Sequence, residues 1–255
     1  KENNDTEKTA WANIQETGVL KVATSGTLFP ASYHDSESNE LTGYDVEVAK
    51  ELAKRLDLEI EFTEMAFDGM LSSINSGQVD FAINDITVTD ERKEKFGFTE
   101  PYKHSVGAAI VRKSDQSGID SLEDLKGKKA AGEATTTYME VARTYGAEEV
   151  IYDNATNDQY LRDVSTGRTD IILNDYYTQS LAVSYYSDLD IMVHPTIRYN
   201  PSSASIILKK ENKDMTEAFN EVLKEMKEDG TLTKLSKQFY NGADVSEEIK
   251  LEESK

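Results

Sequence analysis

The 255-residue chain contains no cysteine. That absence excludes thiol nucleophiles, disulfide staples and zinc–thiolate sites, and it leaves the redox compartment open, since secreted and cytosolic proteins can both omit the residue. A chain of this length has no need of staples, because one large domain or two lobes bury an adequate core. Long apolar runs are missing as well. No window approaches the roughly 18 apolar residues of a membrane-spanning helix, and no basic-then-apolar segment opens the chain, so a mature or trimmed start is expected. Positive charge is scarce: 28 Lys and Arg face 48 Asp and Glu, a net charge of -20. Such a surface repels nucleic acid and anionic lipid and leaves small, zwitterionic or basic partners. The three histidines, His34, His104 and His194, lie far apart without metal-ligand spacing. With no nucleophile elbow or phosphate loop either, the residues offer no catalytic constellation and call for no cofactor or metal.

Strands and helices alternate along most of the chain. Val19 to Thr24 reads as a strand running into a loop, Ser25 to Pro30, imposed by Gly26 and Pro30. A core-facing helix follows with Ala49, Leu52, Ala53 and Leu56 on one stripe and Glu51 one turn before Arg55. Glu59 to Phe62 is a second strand, and Asp68 is placed to cap a helix that Gly77 ends. The strand from Val79 leads into Asn84-Asp85, Thr87 and the helix start Thr89-Asp90-Glu91-Arg92. A polar turn after a strand, followed by a helix amino-terminus and a planar guanidinium, suits a carboxylate. Ser121 to Asp124 has capping-box spacing, Lys129 to Gly132 is a short strand, and Thr135-Thr136-Thr137 feeds a helix whose Tyr138, Val141, Ala142 and Tyr145 share a face. Val150 to Tyr152, Ile191 to Val193 and Ser205 to Lys209 read as further strands, and two helices close the chain around Gly230. The pattern is α/β with mainly parallel sheets.

The pattern also repeats. Gly77 to Asp85 is echoed by Gly167 to Asp175: a helix, a glycine stop, a strand and an Asn-Asp pair, which points to two lobes. Asn154-Ala155-Thr156 matches a glycosylation triplet, a pattern frequent by chance.

Gly43-Tyr44-Asp45-Val46, Phe67-Asp68-Gly69-Met70-Leu71 and Thr87-Val88-Thr89-Asp90-Glu91-Arg92, with Phe98-Thr99-Glu100-Pro101-Tyr102, resemble the polar amino acid-binding proteins of ABC importers, solute-binding protein family 3. Phe-Asp-Gly-Met-Leu together with Asp-Glu-Arg-Lys most resembles the cystine-binding members. The resemblance implies a type II periplasmic-binding-protein-like fold of two α/β lobes joined by hinge crossings near Lys103 to Ala108 and Ile191 to Arg198. It divides the chain into a flexible tether (1–17), lobe 1 (18–103 and 198–245), lobe 2 (104–197) and a loose tail (246–255). It implies that Arg92 holds a ligand α-carboxylate with Thr87 and the Asn84-Asp85 turn, that Thr135 and Thr136 reach the same group, and that Asp175 takes the α-ammonium beside Asn174. Ser25, Leu28 and Phe67 fall where relatives shape the side-chain pocket; Leu28 stands where many carry an aromatic, for which Phe29 or Tyr33 can substitute. Asp85 departs from the small or amide residue usual there, so it contributes only backbone or favours a cationic ligand. The implied partners are a free amino acid and a membrane permease, with a monomer on the outer face of the cell membrane as a lipoprotein, or in the periplasm. Binders of other polar or cationic amino acids, and enzymes resembling cyclohexadienyl dehydratases, share the fold.

Overall fold

The structure, a computed structural model, describes residues 8–152 and 157–251. The chain forms two compact units. The first runs up to His104 and resumes over Ser202–Glu248; the second is Ser105–Pro201 with the described residues from Ile249.

The first unit opens with a helix, α1 (Ala10–Thr17), capped by Thr9 and closed by Gly18 at φ 77°. Residues 10–17 are therefore not tether: Ile14 is buried and the Trp11 ring meets Phe219 edge-on at 5.9 Å. Residues 1–7 lie outside the described chain. Strand β1 (Val19–Thr24) follows. The stretch read as a plain loop, Ser25 to Pro30, contains β2 (Thr27–Leu28), which forms a small antiparallel sheet with β3 (Ser32–His34) and β4 (Leu41–Thr42) beyond it. Two-residue strands leave too little periodicity to see in sequence. Helix α2 (Tyr44–Arg55) buries Val48, Ala49, Leu52 and Ala53, and Arg55 pairs with Glu51 at 3.0 Å. Then come β5 (Glu59–Glu64), α3 (Phe67–Ser76), β6 (Phe81–Ala82), α4 (Asp90–Lys95) and β7 (Phe96–Phe98). Ala66, not Asp68, is the cap residue of α3; Asp68 sits in its first turn, where a negative charge suits the helix dipole.

Strand β8 (Lys103–Arg112) leads into the second unit, followed by β9 (Lys129–Gly132), α5 (Thr137–Thr144), β10 (Glu148–Ile151), α6 (Asn157–Thr166), β11 (Ile171–Asp175), α7 (Tyr176–Tyr185), β12 (Ile191–Val193) and β13 (Tyr199–Ala204). The sheet order is β10-β9-β11-β8-β12, with β13 also on β8. Alternate residues of β8 serve opposite faces: Ala109 and Val111 pack with Met139 and Ala142 of α5, and Ile110 packs with Leu161 and Val164 of α6. The chain returns to the first unit after Pro201, later than the 191–198 stretch read as a crossing, because Ile191–Val193 is paired into this sheet.

Back in the first unit, β14 (Ile207–Lys209), α8 (Lys213–Glu228) and α9 (Thr231–Phe239) complete a sheet ordered β5-β1-β6-β14-β7. Each sheet has three neighbouring strands paired in parallel and joined by helices, followed by antiparallel pairings, so the expectation of mainly parallel sheets holds only for that three-strand part of each. Strands not linked by a helical crossover have no reason to run parallel. The start of the supposed tail is held too: Ser246 is buried, and the Val245 carbonyl accepts the His104 N–H at 2.7 Å.

The repeat seen in the sequence recurs bond for bond. Asp80 donates its N–H to the Lys21 carbonyl and accepts the Lys21 N–H on its carboxylate, both at 2.8 Å; Asp170 does the same with Lys129, again at 2.8 Å. Each aspartate thereby ties the start of its own strand to the parallel neighbour in the sheet, β1 or β9, ahead of the Asn-Asp pair.

Candidate functional site

In the first unit, the site residues gather after β6. Asn84 turns its amide oxygen to the Ser25 N–H at 3.0 Å and the Thr24 hydroxyl at 3.2 Å, which fixes the first loop against the strand end. Leu28 and Phe29 are exposed, and the Phe29 ring lies 4.8 Å from that of Tyr33. Thr87 bridges to Ala204, and its carbonyl accepts from Arg92 Nη1 at 2.7 Å. The guanidinium lies 4.9 Å from the Phe67 ring centroid. Phe67 thus braces the arginine, and Arg92 has no carboxylate partner among the described residues. The helix start contributes less than its sequence implies. Helix α4 has six residues, and the Arg92 N–H is taken by the Thr89 hydroxyl at 3.2 Å. The charged group available to an anion here is the Arg92 side chain rather than the helix end.

Asp85 is engaged through both its backbone and its side chain. Its backbone is left-handed at φ 52°, its N–H donates to Asp45 Oδ2 at 2.5 Å, and its carboxylate pairs with Lys103 Nζ at 2.9 Å. Asp45 is fully buried, also accepts the Tyr102 hydroxyl at 2.6 Å, and has one oxygen, Oδ1, without a hydrogen-bond partner. Burial, reinforced by the Asp85 charge, pushes the Asp45 carboxyl up to about 7. Burial likewise raises the Tyr102 and Tyr44 hydroxyls. Asp45 and Lys103 were not singled out from sequence; Asp45 did stand in a quoted motif, but nothing local marks Lys103 as buried.

In the second unit, Asp175 caps α7, accepting the Thr178 N–H at 2.9 Å on one oxygen and the Ser105 hydroxyl on the other. Asn174 accepts the Asp175 N–H at 2.7 Å. Two held oxygens, each with lone pairs left, make a fixed acceptor for an ammonium. Thr136 caps α5, accepting the Met139 N–H at 3.1 Å, while Thr135 is exposed beside it. A cavity of about 170 Å³ at the ends of β9 and β11 is lined by Gly132, Glu133, Thr136, Tyr138, Tyr160 and Asn174. Tyr176 lies under the Arg198 guanidinium at 4.6 Å, Tyr177 is buried and Tyr185 is exposed. The buried His194 ring holds the Ile119 carbonyl at 2.8 Å and His34 holds Glu64 at 2.6 Å, both structural uses. No cluster of metal-ligating side chains occurs among the described residues, and no described helix is long and apolar enough to cross a membrane. The glycosylation triplet at 154–156 lies outside the described residues.

The sequence profile of the bacterial extracellular solute-binding proteins, family 3, matches residues 20–242. The chain belongs to this family. It is 61% identical over 247 residues to YckB of Bacillus subtilis (strain 168), described as a "probable ABC transporter extracellular-binding protein", covering 96% of this chain and 86% of that one. The crystal structure of YckB superposes with a TM-score of 0.90 at 62% identity, covering 94% of this chain and 97% of the other. The L-cystine-binding protein TcyA of the same organism is 38% identical over 239 residues, 92% of this chain and 86% of TcyA. The open, unliganded L-cystine solute receptor of Neisseria gonorrhoeae has a TM-score of 0.80 at 30% identity, covering 94% and 99% of the two chains. The fold is accordingly the two-lobed periplasmic-binding-protein fold, and this binding protein is of the kind that serves amino-acid ABC transporters outside the cytoplasm.

Proposed function

We propose that this binding protein captures a free amino acid, cystine foremost, and delivers it to the permease of an ABC importer. The observation that carries the reading is Arg92: a guanidinium braced by Phe67 and the Thr87 carbonyl, without an acidic partner among the described residues. In this reading Arg92 and Thr87 take the ligand α-carboxylate, Thr135 and Thr136 add to it, Asp175 takes the α-ammonium beside Asn174, and Ser25, Leu28 and Phe67 shape the side-chain space. The units act as two lobes that close on the ligand. Closure requires that the ligand favour the closed state, since equal affinity for both would shift nothing. Cystine is supported by TcyA and the Neisseria receptor, both cystine binders by name. The protein acts by binding rather than by chemical conversion, as a monomer held to the outer face of the cell membrane by a lipid anchor.

A thermal-shift panel of amino acids including cystine, followed by calorimetry, tests the ligand. Micromolar affinity corresponds to about 8 kcal/mol, within reach of a few charge-assisted bonds and apolar burial. Arg92→Ala weakens binding by about 100-fold with the fold intact, the scale of a lost charged hydrogen-bond pair; unchanged affinity refutes the assignment.

A further inference from the structure

Lys103 is a buried cation at the start of β8, only 4% exposed, and its ammonium lies 2.9 Å from Asp85. The Asp85 side chain is itself 34% exposed. It stands between Asn84, which positions Ser25, and Thr87, which positions Arg92. A carboxylate at that place without a partner would attract an ammonium or guanidinium on a ligand side chain. Beneath it, Asp45 receives the Asp85 N–H and holds the left-handed turn in place. The groups facing this cluster are Tyr44, Tyr102, Tyr240 and Asp244, with Lys103 the cation that offsets the acids. Removing a partner from a buried pair leaves the other charge seeking compensation.

We propose that Lys103 is a specificity determinant: by occupying Asp85 it withdraws that carboxylate from the ligand and biases the site against amino acids with cationic side chains. The inference rests on the amino-acid-binding reading above. It also fits cystine, whose distal end is a zwitterion of no net charge.

The test measures affinities for cystine, arginine and lysine by calorimetry in the wild type, Lys103→Met, Asp85→Asn and the double variant. Lys103→Met frees Asp85 and raises affinity for arginine and lysine relative to cystine by about tenfold, a single charge-assisted contact. Lys103 also lies over the Tyr240 ring at 5.3 Å, so the informative partner is Asp85: in the double variant the gain for arginine and lysine disappears because the carboxylate that receives the cation is gone, and Asp85→Asn alone gives no gain for either. A gain that came only from loosened packing would persist without Asp85. A folded Lys103→Met with wild-type ratios, or a gain that survives in the double variant, overturns the proposal. If Lys103→Met fails to fold, Lys103→Gln, which keeps a polar end without the charge, decides: a relative gain for arginine and lysine supports the inference and unchanged ratios overturn it. A wild type that binds no amino acid overturns the function and this inference together, whereas binding with unshifted ratios overturns the inference only.

Discussion

Asp45→Asn should change how stability depends on pH. Asp45 is fully buried in the first turn of α2, with one oxygen bonded to the Asp85 N–H and the Tyr102 hydroxyl and the other without a partner. Burial outweighs these bonds and Lys103, so the folded carboxyl keeps its proton to about 7, against 3.8 ordinarily. Between those values the native state binds more protons than the unfolded state, so stability falls as pH rises. The contribution is fully present below 3.8 and lost once pH has climbed through about 7. At about 1.4 kcal/mol per pH unit, the whole loss has a ceiling of about 4 kcal/mol. Exposed carboxylates held below their usual range, such as Asp229 and Asp124, act in the opposite sense at lower pH, so the quantity to read is the difference between wild type and variant. Urea unfolding at pH 4.5, 6 and 7.5, values chosen at roughly even spacing across the linkage window, should show Asp45→Asn gaining on the wild type as pH rises. Parallel stability curves would refute the argument.

Other consequences are as direct. Gly43→Ala should cost about 2–4 kcal/mol, because Gly43 has φ 126° and an added Cβ would lie 2.3 Å from the Ala31 carbonyl oxygen; an unchanged urea midpoint would contradict this. Asp80→Ala and Asp170→Ala should each cost about 1–3 kcal/mol by leaving a backbone N–H without its acceptor, Lys21 in one case and Lys129 in the other, with Asp170→Ala also breaking the ion pair to Arg112. A loss in only one of the two would show that the repeated bonds are not equivalent in energy.

Much of the architecture was legible because it is local. Gly77 and Gly167 stop their helices in left-handed conformations, the Ala49-Leu52-Ala53 stripe is buried, and the echoed Asp-to-Asn-Asp segments carry the same backbone clamp. Family motifs singled out Arg92, Thr87 and Asp175, since a guanidinium and a carboxylate advertise their chemistry wherever they fall. Burial, by contrast, is set by what arrives from elsewhere in the chain. Trp11 turns a supposed tether into a packed helix only because Phe219 is there to receive it. Asp85 looked available to a ligand because Lys103 is 18 positions away, and Asp45 looked ordinary because neither Tyr102 nor the Asp85 N–H is near it in sequence. The order of residues was enough for most of the elements and the family, and it named the charged groups proposed to hold an amino acid. Which of those charges are already spent on one another emerged only from the folded chain, because pairing and desolvation depend on distances that a linear order does not contain.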